Sequence, residues 1–231
     1  MAESGTLPEY VTLQVEDGVG TIRLDRPKMN AIDDQLQREI RVVALETAER
    51  SDVRAVVLYG GERVFAAGAD IRQMAQLDGA GMAAWAPELT ASFTAVATIP
   101  KPVIAAVNGM ACGGAFYMLG EVEFILASDD AVFFDPHVTY GMTAAFEPIQ
   151  MLSKMPFHEI MRMSLLGNHE RMSAQRAHQI GLVSEVVPAG ELLDAARWAA
   201  AAIASAPPVP VQATVRTLWA ARELSRRQAI E

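Results

Sequence analysis

Three short apolar runs constrain the fold of this chain most: Val53-Arg-Ala-Val-Val-Leu-Tyr59, Pro102-Val-Ile-Ala-Ala-Val-Asn-Gly109 and Phe124-Ile-Leu-Ala-Ser128. Each is nearly continuous instead of alternating, so a strand built from it is buried on both faces, as in a parallel sheet. Each leads into glycine or a helical pattern. Parallel neighbours need crossover connections, so strands alternating with helices predict an α/β fold. Ahead of these runs, Val11–Val15 and Gly20–Leu24 alternate apolar and polar residues around Asp17-Gly18, which predicts a β-hairpin over 10–25. Pro27 stops any strand in the loop that follows. Ile32, Leu36, Ile40, Val43 and Leu45 recur at helical spacing and predict a helix over 32–50. From about Ala145 the pattern turns helical, with helices predicted near 145–155, 158–165, 173–180, 190–206 and 211–229. Ala206-Pro-Pro-Val-Pro210 is expected to separate the last two.

Composition narrows the function classes. The chain has 231 residues, 51% of them hydrophobic, enough for one substantial core. A net charge of −9 argues against a nucleic-acid partner, which needs a basic face to neutralise phosphates. A single cysteine forbids an intrachain disulfide and fits a reducing compartment. Met1–Tyr10 lacks the charged-then-apolar pattern of a leader, and runs such as Trp198–Ala204 are too short to span a bilayer. The expectation is a cytoplasmic protein with no membrane or nucleic-acid partner. The charged run Arg222–Arg227 reads as a solvated helix face.

Two glycine-rich turns carry the chemistry: Phe65-Ala-Ala-Gly-Ala-Asp-Ile71 and Asn108-Gly-Met-Ala-Cys-Gly-Gly-Ala-Phe116. Small residues there let a ligand approach the main chain closely. Backbone N–H groups at the start of a helix lack intrahelical acceptors and can stabilise an oxyanion. Either turn alone is also what tight strand–helix packing requires. Two of them facing each other would supply two donors to one thioester oxygen. Neither matches a Walker loop or a dinucleotide-binding G-x-G-x-x-G turn.

With Leu24-Asp-Arg-Pro-Lys-Met-Asn-Ala31, Val64–Ile71, Ile99–Gly109, Gly113-Gly114 and Met172–Val183 in that order and spacing, the chain resembles the crotonase superfamily, also called the enoyl-CoA hydratase/isomerase family. The resemblance runs from Tyr10 to about Val187. It implies an α/β spiral of ββα units over residues 1–190 and a C-terminal helical trimerisation region over 191–231, assembled as a homotrimer or a dimer of trimers. It implies an acyl-CoA thioester substrate, with coenzyme A part of that substrate and no separate cofactor or metal. It places the oxyanion hole at the N–H groups of Ala69 and Gly114. The implied substrate-binding residues are Lys28, Met29, Ala31, Ala66, Ala67, Gly68, Asp70, Ile71 and Gly113. Of these, Lys28 is either a phosphate partner or an idle loop lysine, and Asp70 is also suited to cap a helix starting at Ile71. Relatives continue past the position of Glu231 with a segment that helps cover the acyl-CoA site.

Hydratases of this family activate water with two glutamates. The resemblance aligns Tyr117 and His137 with those positions, so both carboxylates are replaced. A neutral imidazole can accept a proton near physiological pH, whereas a phenol is a poor base there. His137 is therefore the candidate base, with the enolate held at Ala69 and Gly114, and Tyr117 a hydrogen-bond donor or a pocket wall. A pocket-lining histidine without chemistry is the competing reading. Glu147 is a candidate acid that also reads as a surface residue near a helix start. Asp135 reads as a loop residue satisfying nearby amides. Cys112 sits at a presumptive helix start, where the dipole lowers a thiol pKa, but it has no adjacent base. Met110, Phe116, Met118 and Met142 are expected to make the acyl pocket apolar. Two functions follow: an acyl-CoA enzyme working through a thioester enolate (a lyase or isomerase in lineage), or a non-catalytic acyl-CoA binding protein.

Overall fold

The computed structural model describes residues 8–230. The reading of Met1–Tyr10 falls largely on residues 1–7, which lie outside the described residues. Strands β1 (Val11–Glu16) and β2 (Val19–Leu24) form the expected antiparallel hairpin, turning through Asp17 and Gly18, both at positive φ. Helix α1 (Asp34–Glu49) starts two residues later than its periodicity suggests, because Ile32 is held in a bridge with Ala69. Asp33 caps it, its carboxylate accepting from the Leu36 N–H at 2.9 Å.

The apolar runs become β3 (Ala55–Tyr59), β4 (Val103–Val107) and, after two intervening elements, β6 (Phe124–Ser128). They are the interior of a six-stranded sheet of order β1-β2-β3-β4-β6-β9, parallel except for the β1–β2 hairpin; its last strand is Glu185–Val187. Both faces are covered, which explains the unbroken apolar pattern. Val56, Leu58, Ala105, Val107, Ile125 and Ala127 face α1 and the rest of the larger core. Ala55, Val57, Tyr59, Ile104, Ala106 and Leu126 face Leu192, Ala196, Ala200 and Ala204. Those four recur every fourth residue on helix α8 (Leu192–Ser205), and the small alanines let the helix lie close on the sheet.

A second sheet, not apparent from the sequence, consists of β5 (Met110–Cys112), β7 (Val132–Phe134) and β8 (Met172–Ser173). Its strands of two or three residues are too short to carry a period. Helix α3 (Gly79–Ala97) also escapes the pattern reading, because it is apolar around much of its circumference and contains Pro87. The remaining helices are α2 (Ile71–Met74), α4 (Ala115–Glu121), α5 (Phe146–Met151), α6 (Phe157–Leu166), α7 (Ala174–Gln179), α9 (Pro208–Glu223) and α10 (Arg226–Ile230). The expected 206–210 separator is shorter than its prolines suggest. Proline is tolerated in a first turn, where its missing N–H has no acceptor, so α9 begins at Pro208. The helix expected to run on to residue 229 is broken between Glu223 and Arg226. Among the described residues, no helix is long and apolar enough to cross a membrane.

Candidate active site

The Phe65–Ile71 turn is held from both sides. Ala66 pairs with Ala111, donating to the Met110 carbonyl at 3.1 Å and accepting from the Cys112 N–H at 3.1 Å. Ala67 donates to the Met29 carbonyl at 3.0 Å, and Gly68 accepts from Ile32 at 2.8 Å. Gly68 has φ +77, and a Cβ there would lie 2.7 Å from the Cys112 carbonyl oxygen, so this crossing of chains requires glycine. Ala66 is fully buried and lies outside the cavity lining, contrary to the expectation that it contacts ligand. Side chains alternate along an extended segment, so Ala66 faces the core while Ala67 faces out.

The second turn meets the first. A Cβ added to Gly114 would lie 3.6 Å from the Ala69 nitrogen, and one added to Gly68 would lie 3.1 Å from the Gly114 nitrogen. The N–H groups of Ala69 and Gly114 find no acceptor among the described residues. Gly114 is the residue before α4, where a free N–H is inherent to helix geometry.

Both turns line a cavity of about 1480 Å³. Lys28, Met29, Ala31, Ala67, Gly68, Ala69, Asp70, Ile71, Gly113, Gly114, Tyr117, His137 and Glu147 all border it. Helix α3 contributes Met82, Trp85, Leu89 and Phe93, spaced so that one helix face forms a wall. Met110 and Met142 line the cavity as expected, but Phe116 and Met118 do not. They flank Tyr117 on α4, and the turn of roughly 100° per residue sends them into the core. Tyr117 stacks on Phe93, ring centroids 5.1 Å apart, as part of the wall. Asp70 is committed within the protein. One oxygen caps α2 through the N–H groups of Arg72 and Gln73, and the other meets Arg26, which also pairs with Asp33 at 2.8 Å.

At one end of the cavity stand Asp135, His137 and Glu147. Asp135 directly follows β7, and Pro136 turns the chain so that His137 folds back on it. His137 Nδ1 and backbone N–H both meet Asp135 Oδ1, the latter at 3.2 Å. Asp135 is 1% exposed and its Oδ2 has no partner among the described residues. His137 Nε2 lies 3.7 Å from Glu147 Oε1. The bond to Asp135 raises the His137 pKa, with burial acting in the opposite direction. Burial raises that of Glu147. The surface reading of Glu147 is thus overturned: α5 follows the His137–Tyr140 turn and tucks its first-turn acid inward.

The imidazole contact of Asp135 was legible only as an Asp-x-His spacing after a strand. Arg171 was missed entirely: its guanidinium lies 3.3 Å over the Phe134 ring and borders the cavity. Cys112 is corrected as well. It lies in β5 instead of at a helix start, and burial pushes its thiol up to about 12, against the thiolate form that a nucleophile needs.

The enoyl-CoA hydratase/isomerase family pattern matches residues 14–231. The chain is 34% identical to a probable enoyl-CoA hydratase of Mycobacterium bovis over 196 residues, 84% of this chain and 75% of that protein. It is 37% identical to a hexahydro-indene-carboxyl-CoA hydrolase of Rhodococcus jostii over 190 residues, 82% of this chain and 72% of that one. Among solved structures it resembles an enoyl-CoA hydratase/isomerase from Mycobacterium paratuberculosis, with TM-score 0.85 and 32% identity over 96% of this chain and 86% of that chain.

Proposed function

We propose a function from the premise that the chain belongs to the enoyl-CoA hydratase/isomerase family of the crotonase superfamily: it binds an acyl-CoA thioester, holds the carbonyl oxygen with the N–H groups of Ala69 and Gly114, and moves a proton at the adjacent carbon with His137. The observation that carries this reading is the convergence of two unpartnered N–H groups with a half-buried imidazole and a buried carboxyl on one cavity. Such donors, fixed before the reaction, stabilise charge as it develops on the thioester oxygen. The enolate then forms at a cost the free thioester in water cannot match.

Tyr117 and His137 occupy the places of the two hydratase glutamates, so water activation by a carboxylate pair is not the proposed route. Glu147 supplies the acid facing Nε2 of His137, whose Nδ1 meets Asp135. Lys28, Met29, Ala31, Ala67, Gly68, Ile71 and Gly113 form the CoA-side lining, and Asp70 serves by holding its loop. The proposed chemistry is proton transfer, with hydrolysis of an acyl-CoA as the variant suggested by the hydrolase-named relative. The proposed assembly is a homotrimer or dimer of trimers.

Deuterium incorporation at the acyl Cα of butyryl-CoA in heavy water tests the function without presuming a final product. Exchange is expected, with His137→Ala slowing it about 100-fold or more. Released thiol in the same samples reports hydrolysis. Tight binding with neither exchange nor hydrolysis would make this chain the non-catalytic acyl-CoA binding protein instead. Absence of binding would overturn both readings.

A further inference from the structure

Asp135 has no assigned role in the reading above, yet it is the most buried ionisable side chain bordering His137. A carboxylate accepts hydrogen bonds and cannot donate them. Its Oδ1 faces both the backbone N–H and Nδ1 of His137, so Nδ1 carries the hydrogen and the lone pair is on Nε2. Nε2 faces Glu147 Oε1 at 3.7 Å, within ion-pair reach. A Cβ on Gly113 would lie 3.6 Å from His137 Cε1, and one on Gly114 would lie 4.0 Å from Glu147 Oε1. The imidazole and the carboxyl therefore lie beside the turn that carries the Gly114 N–H.

We propose that Asp135, His137 and Glu147 form one proton-handling array, in which Asp135 is a positioning residue that fixes the His137 tautomer and His137 and Glu147 share one mobile proton. The proposal rests on the acyl-CoA reading and gives its site a division of labour. With Glu147 ionised the shared proton stands on His137; in the reactive microstate it stands on Glu147 and His137 is neutral. His137 Nε2 takes the Cα proton; the electron pair of that C–H bond stays on the substrate as the enolate. The imidazolium forms against the Asp135 carboxylate. Glu147 then delivers its own proton to a substrate carbon, and its carboxylate receives the proton from the imidazolium. One proton leaves the substrate and one returns, so no oxidant or further reagent is required. The ionisable groups acting on His137 are Asp135 and Glu147, and both favour its protonated form; burial raises the pKa of Glu147 in turn. The pair accordingly keeps its proton to higher pH than either side chain alone.

Histidine-selective ¹⁵N NMR tests the array in the protein without substrate. Above its titration midpoint, where the imidazole is neutral, the wild-type His137 signal is expected as the Nδ1–H tautomer; an Nε2–H tautomer would overturn the proposal without any variant. In Asp135→Asn the side-chain amide can donate to Nδ1, so the tautomer should invert and the His137 titration midpoint should fall. Glu147→Gln should lower the midpoint and leave the tautomer unchanged. For Asp135→Asn, butyryl-CoA affinity should stay within about threefold while Cα exchange drops about 100-fold and its pH profile shifts. An Asp135→Asn protein with unchanged tautomer and pH profile would reduce Asp135 to a structural residue. The expected NMR pattern in a wild type that exchanges no acyl-CoA proton would instead sink the catalytic reading, leaving the array standing.

Discussion

Glu147 shows at the residue scale how a site costs stability. Burial raises its pKa, so the folded chain binds a proton at pH values where the unfolded chain has released it. With more protons bound folded than unfolded, stability falls as pH rises from the ordinary carboxylate range through the raised value. Glu147→Gln keeps the shape and removes the titration. Its melting temperature should gain on the wild type steadily from pH 4.5 to pH 7, measured by scanning calorimetry, while Cα exchange is lost. A difference independent of pH would show that Glu147 ionises freely in the fold. The acid was visible in the sequence as a residue, and its burial was not: nothing in Thr143-Ala-Ala-Phe-Glu-Pro148 says which way the first turn of α5 faces.

Lys101 illustrates the same gap between elements. It is buried, and its ammonium donates to the carbonyls of Thr47, Ala48 (3.0 Å) and Arg50 (2.7 Å), closing the C-terminal end of α1 from the segment before β4. Burial lowers its pKa, an expense accepted because α1 has no basic residue in its own last turn. Lys101→Met should cost about 1–3 kcal/mol in urea denaturation, since carbonyls at a buried helix end lose their donor. Cα exchange per folded molecule should hold, because α1 meets the cavity only through Arg41 and Leu45. An unchanged midpoint would mean that water replaces the ammonium. The helix itself was legible from its apolar spacing, whereas a cap supplied from more than fifty residues away leaves no local signal.

Assembly belongs to the whole molecule. Phe157, Met161 and Leu165 recur every fourth residue along α6 and are exposed, with Ile149 exposed on α5 and Leu152 just after it. Apolar stripes of this kind mark association surfaces, consistent with the proposed trimer. Met161→Asp should shift the mass seen by light scattering from three chains towards one, with an unchanged circular dichroism spectrum. A wild type that remains monomeric at high concentration would remove the trimer. Several properties belong to the sequence by itself: the parallel α/β architecture, the hairpin, most helix positions and the family, along with the two glycine turns and the residues at 117 and 137. These follow from periodicity, turn chemistry and motif order, which act over a few residues at a time. Only the tertiary structure decided that Ala69 and Gly114 face one cavity, that Glu147 is buried beside His137, that Asp135 meets the imidazole and that Cys112 is buried in a strand. Each of those depends on which distant segments pack together, and burial sets an ionisable group's behaviour through neighbours that local sequence does not name.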